Sequence, residues 1–169
     1  MMRFSGILSA FLAVVLMSSC INDDQNIEEY VKVGDSIPEF CVEMNDGSVI
    51  TARELSNGVS FIMFFHTSCP DCQATLPEVQ KIYDEFLPKG VRFALISREE
   101  EHASVSLYWR TNDLTMPYSA QSSREIYNIF ASSRIPRVYI CADGIVKAIF
   151  TDNPNPTYAD MDSVLRELI

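Results

Sequence analysis

The run Phe61-Ile62-Met63-Phe64-Phe65, followed shortly by Cys69-Pro70-Asp71-Cys72, constrains this chain more than any other feature. An unbroken apolar run has no polar face to give to water, so a strand made of it must be covered on both sides. After the cysteines, Leu76, Val79, Ile82, Tyr83 and Phe86 recur on one helical face, and Gly90 supplies a stop. Val91 to Ile96 is a second apolar run. Strand, amphipathic helix and strand in that order predict a βαβ unit inside a layered α/β domain.

The flanking segments extend the same pattern. Phe40 to Glu43 and Ser48 to Thr51 bracket Asn45-Asp46-Gly47, a hairpin signal. Ser97 and Glu100 have the spacing of a capping box, predicting a helix through about Trp109. Met116-Pro117-Tyr118 reads as a short extended piece. Ser122 and Glu125 repeat the capping signal before a helix facing inward with Ile126, Ile129 and Phe130. Val138 to Cys141 and Ile145 to Phe150 meet at Asp143-Gly144, a second hairpin, and Thr157 with Asp160 opens a last helix whose face is Met161, Val164, Leu165 and Leu168. The expected fold is α/β, a mixed sheet flanked by helices. The 169 residues fit one such domain, from about residue 31 to 169.

The N-terminus is built differently. Arg3 precedes a mostly apolar stretch from Phe4 to Met17, then Ser18, Ser19 and Cys20. The stretch is short for a membrane span and suits the core of a signal peptide. Leu16-Met17-Ser18-Ser19-Cys20 resembles a bacterial lipobox, in which Cys20 becomes the lipidated first residue. The expectation is a signal peptide at 1–19, a polar tether at 20–30 and attachment at Cys20. An ordinary signal peptide or an uncleaved anchor are the alternatives. The chain carries 23 acidic and 13 basic residues, a formal charge of -10, which argues against nucleic acid as a partner.

Export places the cysteines where disulfides persist. Two cysteines three apart at a helix start bring their sulfurs within bonding reach. The unpaired N–H groups and partial positive charge of that terminus favour thiolate, the attacking species. Pro70 suits a first helical turn, and Asp71 both complements the helix start and opposes a neighbouring thiolate. By position, Cys69 is the expected nucleophile and Cys72 the buried resolving thiol. A structural disulfide or half of a zinc site is the bland alternative, but His66 and His102 are the only histidines and no second C-x-x-C exists. No cofactor is called for. Cys41 and Cys141 fall in strands and read as buried free thiols, with a second disulfide as the alternative, and Trp109 reads as a packing residue.

Val33-Gly34-Asp35-Ser36-Ile37-Pro38-Glu39-Phe40 resembles the entry segment of the redoxin and peroxiredoxin-like families, and the strand–Cys-Pro-Asp-Cys–helix unit, Pro77 and Ile135-Pro136 before a hairpin resemble the thioredoxin superfamily. Among its members they are most similar to the membrane-anchored, redoxin-like TlpA/ResA branch, over about residues 31 to 169. The resemblance implies a thioredoxin fold with an N-terminal β-hairpin extension (40–51) and a central insertion (about 99–120). It implies a redox disulfide between Cys69 and Cys72. It also implies a cis Pro136 beside the sulfurs, with the backbone of Ile135 exposed for an extended substrate segment.

The chain departs from the branch at four places. Met63 and Thr75 stand where a buried proton-relaying acid is found, Phe65 where Trp is common, and Arg137 where a small residue follows the proline. Water, Thr75 or His66 would then assist proton transfer. The implied function is a thiol–disulfide oxidoreductase, a reductant or isomerase of periplasm-facing envelope proteins linked to cytochrome c maturation. Its implied partners are thiol or disulfide proteins and a membrane or periplasmic electron donor. The alternatives are a thiol peroxidase, against which His66 stands where peroxiredoxins carry Thr or Ser, and a non-catalytic lipoprotein subunit.

Overall fold

The computed structural model describes residues 29–169, so the signal peptide, Cys20 and most of the tether lie outside the described residues. The elements run β1 (Cys41–Glu43), β2 (Val49–Thr51), α1 (Ala52–Leu55), β3 (Val59–Phe65), α2 (Pro70–Phe86), β4 (Arg92–Ser97), α3 (His102–Thr111), β5 (Tyr118–Ser119), α4 (Glu125–Phe130), β6 (Arg137–Ala142), β7 (Ile145–Phe150) and α5 (Tyr158–Leu168). One sheet has the order β5-β4-β3-β6-β7, parallel across β3, β4 and β5 and antiparallel from β3 through β7. β1 and β2 form a separate antiparallel hairpin. This is the thioredoxin-type architecture that the resemblance implied, with the hairpin in front and α3 and β5 as the insertion. Among the described residues, no helix is long and apolar enough to cross a membrane.

β3 is central because its sequence allows nothing else. Phe61 through Phe65 are each fully buried, as are Leu76, Val79, Ile82 and Phe86 on α2. Burying side chains of this size contributes about 1.5–3 kcal/mol each. On β3, Phe64 meets Tyr127, Phe130 and Tyr139 with ring centroids 5.3, 4.9 and 6.4 Å away, which fixes α4 against the sheet. At the β6–β7 turn, Asp143 and Gly144 both take positive φ, and a Cβ on Gly144 would lie 2.9 Å from Ser56 Oγ. Glycine is required there on both counts.

Several expectations need correction. α3 starts at His102 with Glu101 as its N-cap and no side-chain cap, so Ser97 and Glu100 make no capping box. Ser97 ends β4 instead, and Glu100 is drawn inward. α4 starts at Glu125 after Arg124 rather than at Ser122, and the aromatic packing on Phe64 turns Tyr127 and Phe130 inward, leaving Ile129 39% exposed. Cys141 is a buried free thiol, but Cys41 is exposed, because the two-residue alternation of β1 points Val42 inward and its neighbours out. Glu29 bridges Ala131, and the Tyr30 and Val31 N–H groups donate to Phe130 O, both at 3.1 Å. The capping box of Thr157 and Asp160 is present as read, and Thr51 with Glu54 forms one on α1 that the strand pattern concealed.

Candidate active site

Cys69 closes the loop after β3 and is the N-cap of α2, extended in backbone, with Pro70 in the first turn. Its N–H donates to His66 O at 3.1 Å, and Gln73 N–H donates to Cys69 O at 2.9 Å. A tight turn therefore hands the chain directly into the helix. The Cys69 side chain is half-buried, and its thiol donates to Ile135 O at 3.5 Å. One turn along, Cys72 is fully buried. Both are free thiols. Burial is the main reason the Cys72 thiol is pushed well above its ordinary range, and contact with the Cys69 sulfur adds to it. The backbone of His66 and the charge of Arg98 pull the other way. The two sulfurs thus differ in the way exchange chemistry needs: one reachable at a helix mouth, one held protonated behind it.

The opposing wall is the segment before β6. The Ile135–Pro136 peptide is cis, and Ile135 is nearly buried with its carbonyl toward Cys69. Arg134 has positive φ and pairs with Asp152 at 3.3 Å.

The loop 66–69 is held from beneath by a residue that the sequence reading assigned elsewhere. Glu100 is 6% exposed. Its carboxylate accepts the Thr67 N–H at 2.8 Å and the Thr67 hydroxyl. Gln73 Nε2 donates to Thr67 O at 2.7 Å, clamping the same residue from α2. The Glu99-Glu100-Glu101 run was the available signal, but nothing local says which of the three turns inward. Glu100 Oε2 also lies 3.7 Å from His66 Nδ1, which accepts from Ser68 N–H at 3.1 Å. Met63 is a fully buried apolar residue of β3, and Thr75 is buried in α2 with its hydroxyl donating to Asp71 O at 2.9 Å. Asp71 turns to the β7–α5 loop, where Asn155 Nδ2 donates to its carboxylate at 2.8 Å. No signal in the sequence linked those two positions. Among the described residues, no group of three His, Cys, Asp or Glu side chains is placed to hold a metal ion.

The sequence matches the AhpC/TSA family over residues 33–149. It is 28% identical over 141 residues to the thiol-disulfide oxidoreductase ResA of Oceanobacillus iheyensis, covering 80% of this chain and 72% of that one. It is 22% identical over 113 residues to ResA of Bacillus cereus, where the match covers 67% of this chain and 65%, just under two thirds, of the relative. The fold superimposes on a suggested protein disulfide isomerase from Bacteroides thetaiotaomicron with a TM-score of 0.78 at 19% identity, covering 85% of this chain and 94% of that one. It also superimposes on a thioredoxin family thiol:disulfide interchange protein from Chlorobium tepidum with a TM-score of 0.69 at 21% identity, covering 80% and 96%. These likenesses show that the chain has the thioredoxin fold.

Proposed function

The chain belongs to the AhpC/TSA family, and from that premise we propose that it is a thiol–disulfide oxidoreductase that exchanges disulfides with envelope proteins through Cys69 and Cys72. The observation that carries this reading is the half-buried Cys69 at the start of α2, facing Ile135 O at 3.5 Å, with buried Cys72 one turn behind. Homology to thiol-disulfide oxidoreductases supports it. In the reducing direction, the Cys69 thiolate attacks one sulfur of a substrate disulfide. The substrate S–S bond breaks, its other sulfur leaves as thiolate, and a mixed disulfide forms. Cys72 loses its proton and attacks Cys69 Sγ, closing the Cys69–Cys72 disulfide and releasing the second substrate thiol. Two electrons pass to the substrate, and a membrane or periplasmic dithiol donor restores the pair. Ile135 and Pro136 form the edge against which an extended substrate segment lies.

The test compares oxidants. Reduced protein should lose its two active-site thiols at least about tenfold faster to a protein disulfide than to an equal concentration of hydrogen peroxide. The reverse order would replace the reading with a thiol peroxidase. No reaction with either would leave a binding module.

The anchor is part of the same proposal. Arg3, the apolar stretch and Ser18-Ser19-Cys20 follow one another in the order a lipoprotein signal requires. Lipid on Cys20 would hold the domain at the periplasmic side of a bacterial membrane. Cys20→Ser should then abolish labelling by radioactive palmitate and move the chain from the membrane fraction to the soluble one. A variant that stays labelled would refute attachment at Cys20.

A further inference from the structure

We propose that Arg137, with Glu29 as its counter-charge, is a positioning residue for the segment that presents Ile135 to the substrate. This rests on the oxidoreductase reading above. Arg137 directly follows Pro136 and opens β6, and its side chain is entirely buried. Its Nη2 donates to Ser133 O at 3.1 Å, and its Nη1 lies 3.2 Å from Glu29 Oε1. Its Nε makes no hydrogen bond among the described residues. Among the described residues, the Glu29 carboxylate and the Ser133 carbonyl accept from it, and the Tyr127 and Tyr139 hydroxyls lie beside it.

The neighbouring carbonyls are turned the same way. Arg124 Nη2 donates to Ser132 O at 2.7 Å. The Tyr127 hydroxyl donates to Ser133 O, and also to Arg134 O at 2.7 Å. Three successive carbonyls therefore face donors inside the protein, and the next one, Ile135 O, faces Cys69. The direction of Ile135 O follows from how the preceding three are held. Glu29 reaches this web from outside it. It is 41% exposed in its side chain, and the N-terminal segment carrying it is pinned to the same region by the backbone bonds to Phe130 O and the bridge to Ala131.

A buried guanidinium keeps its charge, because arginine does not deprotonate in proteins. A neutral amide at position 29 can still accept one bond but leaves the buried charge without its counter-charge, so the side chain is drawn toward other acceptors or toward water. Either response shifts the carbonyl series. Cys69 is held by a different element, as the N-cap of α2, so the shift acts first on the backbone that faces the substrate. The expected consequence is a loss in docking of an extended substrate rather than in sulfur reactivity.

The experiment uses the full chain and Glu29→Gln, which keeps the shape and removes the charge. The two substrates are a mixed disulfide of glutathione with an extended cysteine peptide and a small aromatic disulfide that makes no backbone pairing. The ratio of exchange rates, peptide to small, should fall about five- to tenfold in E29Q, through KM for the peptide. An unchanged ratio, or an equal fall with both substrates, would overturn the inference and leave the ion pair a packing feature. If the parent chain exchanges with neither substrate, the oxidoreductase reading fails and this inference with it. If the parent exchanges and only the ratio in E29Q stays fixed, this inference alone fails.

Discussion

Cys69→Ser abolishes turnover with a protein disulfide, whereas Cys72→Ser completes the first attack and accumulates a mixed disulfide at Cys69. The asymmetry follows from access. Cys69 is half-buried at the mouth of α2, and Cys72 is fully buried a turn behind it. A serine hydroxyl cannot form the sulfur–sulfur bond on which exchange depends. The loss in C69S should be on the order of 10³-fold or more, limited by the uncatalysed background. In C72S the intermediate has no internal thiol to resolve it and should be trapped with one substrate chain per protein, readable by mass spectrometry. The same burial gives a pH signature in the parent. Burial holds the Cys72 thiol above its ordinary 9.0, so the protonated form dominates at neutral pH. Each unit of pH then raises the resolving thiolate by about tenfold, and the decay of the mixed disulfide should keep accelerating past pH 9 instead of levelling there. For stability the sign is fixed as well. A thiol raised by folding contributes stability that is intact below the unfolded value and is lost as pH rises toward the folded one, so the reduced protein weakens on the alkaline side. A C72S variant that turns over, or a resolving step that levels near pH 9, would remove Cys72 from its role.

Which parts of this arrangement were legible in the chain depends on how local the deciding physics is. The apolar run of β3, the glycine turns at Gly47 and Gly144 and the capping box at Thr157 are settled by neighbours a few residues away, and the structure has each of them. The placement of Cys69 and Cys72 one turn apart at a helix start was legible from their spacing after the apolar run. The same capping spacing failed at Ser97 and Glu100. There a distant partner, Thr67, offers the carboxylate two buried donors, against which an exposed cap is a weak competitor. At Ser122 and Glu125, an aromatic cluster assembled from β3, β6 and α4 sets the helix orientation instead. Arg137 could be flagged as unusual after a proline. Its carboxylate partner lies across 108 residues of chain, beyond any window of local pattern.

Glu100→Ala is expected to destabilise the reduced protein by about 3 kcal/mol and to slow exchange as well. The carboxylate satisfies both the N–H and the hydroxyl of Thr67, and all three groups sit in a site where Glu100 and Thr67 are 6% and 8% exposed. Truncation to alanine leaves two buried donors without an acceptor, each costing about 1–3 kcal/mol when water cannot reach it. Glu100→Gln separates geometry from charge. Its Oε1 can accept the Thr67 N–H while its Nε2 donates to the Thr67 hydroxyl oxygen, so the clamp persists with one bond reversed. E100Q should therefore lose less than half of what E100A loses in urea unfolding. Thr67 lies between His66 and the turn that places Cys69, and Gln73 grips only its carbonyl. Releasing the other side lets the turn relax, and a displacement of the nucleophile by about 1 Å can cost up to roughly 10²-fold in rate. Combining Thr67→Ala with E100A should add little further loss, because the hydroxyl bond that T67A removes is already gone in E100A. Full additivity in that double mutant, or an E100A chain as stable as its parent, would mean that the carboxylate does not anchor the loop, and the turn before Cys69 would need another support.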